Sequence, residues 1–412
     1  MTTNFCIHSW PRAIAHIDAD AFFAACERAL NPSLSGKCIA VGKERGIITA
    51  LSYEAKARGV KRGMRSFEAK KICPGLIVIE SDYEKYSLFS LRMFNIIKNF
   101  SPQVEEYSID EAFVDLSGLR RVFSCSYEEI AKKMQSAVEK ELSITVSVGV
   151  SITKTLAKVA SKLKKPKGLA VIEGRDIQNI LKDIKIEDVW GIGNNTAYLL
   201  KKFGINSALD FAIKDETFID KYLSKSYKET WLELRGHSVF GINPSAKSTY
   251  KTISKAKSFY PPSSDKTFLF SELTKNLENA CAKARRFNLA ASKISIFLKK
   301  QDFKTEGVQI KLVTPSAFPP LLMNALEEGF RYIYKKGCSY RQTETVLHLT
   351  ENVQYSLFDD MVKIDKIKRI YDSIDDINKK FGRNSVHLAS STPSLSAGRE
   401  HRFSIPFMDI NI

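Results

Sequence analysis

Apolar and polar positions change their period several times along this 412-residue chain. RAIAHIDADAFFAACERAL opens as a short apolar strand and turns to helical spacing near Phe22. NPSLSGKCIAVG follows with Pro and Gly punctuation and a second strand, and YEAKARGVKRGMRSFEAKKICPG predicts a basic helical region closed by Pro74 and Gly75. Leu88, Leu91, Phe94 and Ile97 keep helical spacing, with Tyr83 ahead of them. YEEIAKKMQSAVEKEL predicts one more helix and ITVSVGVS one more strand. Strands and helices thus alternate through about residue 173, the pattern of an α/β or α+β half. Short helices fill roughly residues 174 to 245. Beyond 250, three strand-like segments (ASKISIFLKK, GVQIKLVTP, TETVLHLT) and two amphipathic helices (LFSELTKNLENACAKARRFN, LLMNALEEGFRYIYKKG) predict a βαββαβ module of about 100 residues. ASSTPSLSAGREHR, rich in Ser, Pro and Gly, predicts a flexible tail.

One strand breaks its own rule. In YSIDEAFVDLSG, Tyr107 and Ile109 keep one alternation, while Ala112, Val114 and Leu116 keep another, one residue out of step. A one-residue slip reverses which face is buried, so a turn or bulge is expected at Asp110 and Glu111, one that can bring both carboxylates to one side.

Charge narrows the function. The formal net charge is +17 and 44% of residues are hydrophobic, which suits a globular protein with a polyanionic partner. No apolar run approaches the roughly 18 residues of a membrane helix, and the first residues lack the basic and apolar regions of a signal peptide. Nucleic acid is therefore the expected partner, with no membrane. At this length the chain exceeds one compact core, and about three to four domains are expected. Seven scattered cysteines without a Cys-x-x-Cys pair speak against a disulfide framework or a zinc site and suit a reducing cytosol. His16 reads as a hydrogen-bonded structural histidine.

Asp18 sits where HIDADAFF leaves its strand, at a strand end of the kind that presents active-site groups. If Asp18 converges with Asp110 and Glu111, divalent cations would neutralise the three charges. Mg²⁺ takes hard oxygen ligands, and two such ions can activate a hydroxyl and stabilise a leaving phosphate. A basic protein carrying that triad is a candidate for phosphoryl transfer on nucleic acid. Asp20, Glu105, Glu106 and Asp115 read as caps or solvated charges.

These residues resemble the Y-family translesion DNA polymerases. HIDADAFFAACE is similar to the family's first metal motif and YSIDEAFVDLSG to its second. ALSYEAKARGV resembles the nucleotide-phosphate motif, SKLKKPKG the lysine-bearing loop, and DVWGIGNNTAYLLKKFGI a helix-hairpin-helix, in order from about residue 13 to 360. YSIDEAF, DVWGIG, ELRG, KLVTP and SLFDD look most like the UmuC-type catalytic subunit of bacterial DNA polymerase V, with DNA polymerase IV (DinB-type) next nearest.

The resemblance implies an α+β right hand. Its parts would be a palm (1–21 and 83–173), small fingers (22–82), a helix-hairpin-helix thumb (174–245), a βαββαβ little finger (250–350) and a C-terminal tail (351–412). It implies two Mg²⁺ held by Asp18, Asp110, Glu111 and the Ala19 carbonyl. Phe23, beside Phe22 in the nucleotide pocket, would be the steric gate against a ribose 2′-hydroxyl. Tyr53, Lys56 and Lys165 would contact the dNTP triphosphate. Lys56 stands where many members have Arg, keeping the charge and losing the bidentate fork.

KTLAKVASKLKKPK holds Lys154, Lys158, Lys162, Lys164, Lys165 and Lys167 without an acid, and six such charges repel one another unless they face phosphate. Gly191 and Gly193 allow a tight turn into a helix N-terminus suited to a DNA phosphate. Lys293, Lys299, Lys300 and Lys304 could grip the template duplex. In VQYSLFDD, Gln354, Ser356, Leu357 and Phe358 resemble the peptide that docks on the bacterial sliding clamp. The expected partners are primer–template DNA, dNTP, a β-type clamp and, on the polymerase V likeness, a UmuD-type accessory protein and a recombinase filament. The expected place is the bacterial cytoplasm at the nucleoid, under DNA damage. A clamp-bound scaffold that has lost its carboxylates and a palm-type nucleotidyl cyclase are the competing readings. The presence of all three acids opposes the first, and the thumb, the lysine-rich helix and the clamp peptide are superfluous to the second.

Overall fold

The computed structural model describes residues 9–42, 46–245, 250–351, 361–382 and 384–392. The chain forms two compact units, residues 1–246 and 247–412.

In the first unit the strands are β1 (Ile14–Ala19), β2 (Ile39–Gly42), β3 (Ile48–Leu51), β4 (Ile77–Ile79), β5 (Val104–Glu106), β6 (Glu111–Asp115), β7 (Val146–Ser151) and β8 (Leu169–Val171). Five of them make one sheet in the order β5-β6-β1-β7-β8. Every residue of β1 and β7 is buried, so both strands read as apolar runs with small or hydrogen-bonded polar residues between. Helices Tyr83–Lys98 and Tyr127–Leu142 supply Met93, Phe94, Ile97, Ile130, Met134 and Val138 to a core shared with Ile17, Ala112, Val114 and Val148. Helix Lys154–Leu163 covers the other face, where Ala157 meets Ile14 and Phe113. Its backbone lies against Gly149 of β7: a Cβ there would fall 2.1 Å from the Ser161 nitrogen. Only glycine admits that approach, which carries the helix's lysines up to β1.

The period slip in YSIDEAFVDLSG has a simpler cause than a bulge within one strand. Tyr107–Asp110 is the turn between β5 and β6, closed by Tyr107 and Ser108 N–H groups donating to the Glu111 carbonyl at 3.0 and 3.1 Å, and the strand begins at Glu111. Two registers meet because the first half is not strand.

β3-β2-β4 is a separate small sheet, with helices Tyr53–Ala57 and Ser66–Ile72 around Cys38, Ala40, Ile48, Val60 and Leu76. Helix Phe22–Leu30 gives Phe22, Ala24 and Cys26 to the five-stranded sheet's core, so a boundary at residue 22 parts it from its own packing. Past β8, short helices from Ile177 to Leu234 bury Leu181, Leu200, Phe211 and Trp231, in keeping with the sequence pattern.

The second unit follows the expected βαββαβ order. β9 (Thr252–Ser263), β10 (Ala290–Lys300), β11 (Thr305–Ser316) and β12 (Tyr340–Thr350) form an antiparallel sheet, β11-β10-β12-β9. Helices Lys266–Arg286 and Pro319–Ile333 bury Ile294, Ile296 and Leu298. Of the expected flexible segment ASSTPSLSAGREHR, residues 393–402 lie outside the described residues. Met361–Phe381 is a helix whose Asp375 takes a two-pronged bond from Arg285 at 2.6 and 2.7 Å, and whose Tyr371 is buried. Ala389–Ser391 is a 3-10 turn, fixed where Leu388 N–H donates to Glu278 at 2.7 Å. These anchors sit on a helix about a hundred residues upstream, so local composition gives no sign of them. The clamp-like residues Gln354, Ser356, Leu357 and Phe358 lie outside the described residues. No helix among the described residues is long and apolar enough to cross a membrane.

Candidate active site

Two adjacent strand ends gather the acids. In the antiparallel β1–β6 pair Asp18 stands directly opposite Glu111, and the Ala19 N–H donates to the Asp110 carbonyl at 2.9 Å. Directly opposed residues have Cα atoms only about 4.5–5.5 Å apart, and like charges so placed repel. Two lysines relieve the repulsion. Lys165, in the loop after helix Lys154–Leu163, pairs with Asp18. Lys158 Nζ lies 2.6 Å from Glu111 Oε2, with the Tyr107, Phe113 and Trp190 rings 4.7, 6.0 and 5.6 Å from its ammonium. Asp110 accepts from Ser108 Oγ at 2.6 Å.

His16 is wholly buried; its Nδ1 bonds Ser161 Oγ at 2.8 Å, while Nε2 lies 3.9 Å from Glu111 Oε2 without a protein partner. Burial, with Lys158 and Lys165 adding to it, pushes the imidazole down to about 4. Burial also drives the Asp18 carboxyl up to about 6; Lys165 opposes the rise, and Glu111 and Asp110 add to it. Glu111 goes the other way. Burial raises it, but His16 and Lys158 more than offset that and hold it at about 2.

The Asp18 shift has a sign that can be measured. A carboxyl raised from 3.8 to about 6 on folding contributes stability below pH 4, and that contribution is lost as pH rises through 6. At 1.36 kcal/mol per pH unit, ionised Asp18 costs the metal-free fold about 3 kcal/mol at neutral pH. Asp18→Asn is therefore expected to gain stability over the wild type between pH 4 and 7 in chelator, by up to about that amount, in parallel denaturant titrations. A widening deficit of the variant would contradict the assignment.

Among the described residues, no three acidic, histidine or cysteine side chains already surround one point. Each carboxylate faces its own lysine or hydroxyl instead. The donors on offer are nonetheless all hard oxygens, the set Mg²⁺ takes, and two ammonium groups offset two of their three negative charges. The residues fit a divalent ion.

The residues expected at the nucleotide come from several segments of the chain. Phe22 is buried in the core, whereas Phe23 is only half-buried. The Phe23 ring stacks on Tyr86 at 4.4 Å and meets Tyr83 edge-on at 5.4 Å, and the Tyr86 hydroxyl donates to Glu27 at 2.6 Å. Tyr83 and Tyr86 escaped the sequence reading because they fall within an ordinary helical stripe. Tyr53 donates weakly to Asp20 at 3.4 Å; burial and that carboxylate both push its phenol up. Lys56 is exposed, with its ammonium 5.9 Å from the Tyr53 ring.

The lysine run needs correction. Lys154 and Lys158 are buried and face inward: Lys154 reaches both Glu105 oxygens at 2.7 and 2.8 Å, and Lys158 holds Glu111. Neither faces a DNA phosphate. The repulsion argument counted acids on the helix alone, and the partners come from β5 and β6. Lys162 is exposed and donates to the Asp188 carbonyl at 3.2 Å. The helix start is itself fixed, with Thr155 N–H donating to buried Glu233 at 3.0 Å. Glu105 and Asp115 (2.7 Å from Arg12) are thus paired rather than solvated. Gly191 is left-handed at φ +89°, and Gly193 precedes helix Asn194–Lys202, whose first N–H groups receive no side-chain cap. In the second unit Lys300 pairs with Glu306 at 2.7 Å and Lys304 with Asp302 at 3.6 Å.

Comparison with known proteins identifies the family. The impB/mucB/samB family matches residues 17–162, its C-terminal domain residues 250–351 and its HHH motif residues 175–205. A DNA polymerase IV of Bacillus velezensis is 32% identical over 384 residues, covering 91% of this chain and 92% of its own. DNA polymerase IV 1 of Bacillus subtilis is 34% identical over 298 residues, covering 71% and 72%. A solved Y-family DNA polymerase chimera, Dbh-Dpo4(243-245)-Dbh, superposes with TM-score 0.70 at 25% identity over 84% of this chain and 100% of that one.

Proposed function

The chain belongs to the Y-family of translesion DNA polymerases, and from that premise we propose how its residues divide the work of template-directed nucleotide addition. It is a DNA-directed DNA polymerase, and polymerases of this family depend on divalent metal. Within the family we read it as DinB-type. The matched relatives carry the name DNA polymerase IV rather than that of a UmuC-type subunit. With that likeness goes the ground for requiring a UmuD-type subunit or a recombinase filament.

Asp18, Asp110, Glu111 and the Ala19 carbonyl would hold two Mg²⁺, which would supply activation of the primer 3′-hydroxyl and charge neutralisation at the leaving pyrophosphate. The 3′-oxygen attacks the α-phosphorus, and the α–β phosphoanhydride bond breaks. Around that step the protein orients and excludes. Tyr53, Lys56 and Lys165 bind the triphosphate, Lys165 leaving Asp18 to do so. Phe23 closes the space beside C2′ of the sugar. The Gly191–Gly193 turn and Lys162 receive duplex phosphates, and Lys293 and Lys299 the template duplex. Gln354, Ser356, Leu357 and Phe358 engage a sliding clamp. Copying is error-prone and belongs to the DNA-damage response, in the bacterial cytoplasm.

One observation supports this above the rest: the register that sets Asp18 opposite Glu111 with Asp110 next to it. Primer extension with Mg²⁺ on undamaged and abasic-site templates is the test. Template-dependent addition, continuing past the lesion, is expected. No addition on either template contradicts the reading, and a cyclic nucleotide made without template points to the cyclase instead.

A further inference from the structure

Asp20, two residues beyond Asp18, has no part in the scheme above and reads as a cap in the sequence. It is 3% exposed, and three separate segments converge on its carboxylate. Ser147 Oγ, from β7, donates to Oδ1 at 2.8 Å, and the Tyr53 hydroxyl to the same oxygen at 3.4 Å. The Lys167 N–H donates to Oδ2 at 2.8 Å. The backbone is fixed as well, Asp20 N–H donating to the Thr145 carbonyl at 2.9 Å.

The loop held by Oδ2 needs holding. Lys167 adopts a left-handed φ of +53°, which a non-glycine residue takes at a cost of about 1–2 kcal/mol. Gly168 follows so tightly that a Cβ would fall 2.2 Å from the Lys164 carbonyl oxygen. Ser147 Oγ supports the same loop, accepting from Gly168 N–H at 3.3 Å. A carboxylate only accepts hydrogen bonds, and both its oxygens are in use here. One oxygen therefore ties down the tyrosine, and the other the backbone two residues past Lys165.

We propose that Asp20 is a positioning residue for the incoming nucleotide, fixing the Tyr53 hydroxyl and the Lys165 ammonium at the spacing a triphosphate spans. This rests on the reading of Tyr53 and Lys165 as triphosphate ligands. Asp20 touches no reacting atom. It acts through the other two by holding their segments on either side of one rigid strand end. The single Tyr53 proton, donated to Asp20 in the free enzyme, turns to a phosphate oxygen when nucleotide arrives.

Single-turnover nucleotide addition separates nucleotide affinity from the rate of the step. Asp20→Ala is expected to weaken apparent dNTP affinity tenfold or more, with a smaller change in the maximal rate and unchanged primer–template affinity. Asp20→Asn, whose amide can still bridge both segments, is expected to recover most of the loss; Ser147→Ala should show a weaker loss of the same kind. In a Tyr53→Phe/Lys165→Ala background, Asp20→Ala should add little, because its effect passes through those two groups. A purely structural Asp20 would lower the folded fraction and the melting temperature with affinity untouched, and full additivity in that background would likewise overturn the proposal. If Asp20→Ala fails to fold, Ser147→Ala gives the reading, with a smaller loss of dNTP affinity expected and unchanged affinity overturning the proposal. Should Tyr53→Phe and Lys165→Ala themselves leave dNTP affinity unchanged, the assignment of triphosphate ligands fails, a result distinct from normal Asp20 variants beside impaired Tyr53 and Lys165 ones.

Discussion

Asp110→Ala is expected to slow nucleotide addition at least about 10³-fold, roughly 4 kcal/mol of transition-state stabilisation, while the protein stays folded. The structure explains why this variant isolates chemistry from folding. Asp110 is at the end of a turn, and among the described residues its carboxylate bonds the neighbouring Ser108 hydroxyl alone, so its loss strands no buried partner there. Glu111→Ala should be equally inactive but also unstable. It leaves Lys158, with 9% of its side chain exposed, as a buried ammonium without its carboxylate, a loss of about 3 kcal/mol. The pair of variants therefore predicts two rates alike and two melting curves apart. Single-turnover kinetics and thermal denaturation check both, and wild-type rates in Asp110→Ala would remove the carboxylates from the mechanism.

Phe23→Ala is expected to raise ribonucleotide incorporation about 10²-fold relative to deoxyribonucleotide, with dNTP addition little changed. A wall rejects a 2′-hydroxyl only if it cannot move aside. Phe23 is backed by Tyr86 at 4.4 Å in a near-parallel stack of 14°, with Tyr83 against its edge. Tyr86 is in turn tethered by its hydroxyl to Glu27. Discrimination on the order of 10² is what shape alone provides against an added hydroxyl. Tyr86→Ala, which leaves the ring in place but unsupported, should relax selectivity by a smaller factor. Competition between rNTP and dNTP at one template position measures each ratio, and unchanged selectivity in Phe23→Ala would place the gate elsewhere.

Much of this was legible before any coordinates. The succession of strands, helices and the βαββαβ module follows from periodicity, because buried faces impose it locally. The slip at Asp110 and Glu111 marked a turn, one of the two causes expected: a hairpin turn disrupts alternation as a bulge does, and one sequence does not tell them apart. What stayed hidden depends on partners distant in the chain. Lys154 and Lys158 read as phosphate-facing until β5 and β6 bring Glu105 and Glu111 to them. Asp20 reads as a cap until Ser147, Tyr53 and Lys167 arrive from three segments. Helix Met361–Phe381 reads as tail until Arg285 and Glu278 pin it and the turn that follows. The preference for a UmuC-type relative gains no support from the matched relatives, which carry the name DNA polymerase IV.

Manganese binding tests the metal cage most directly. Electron paramagnetic resonance of Mn²⁺ titrated into the enzyme with primer–template and a non-hydrolysable dNTP analogue should give two bound ions per chain, and fewer, more weakly held, in Asp18→Asn/Asp110→Asn. Equal stoichiometry and affinity in the two proteins would contradict the account.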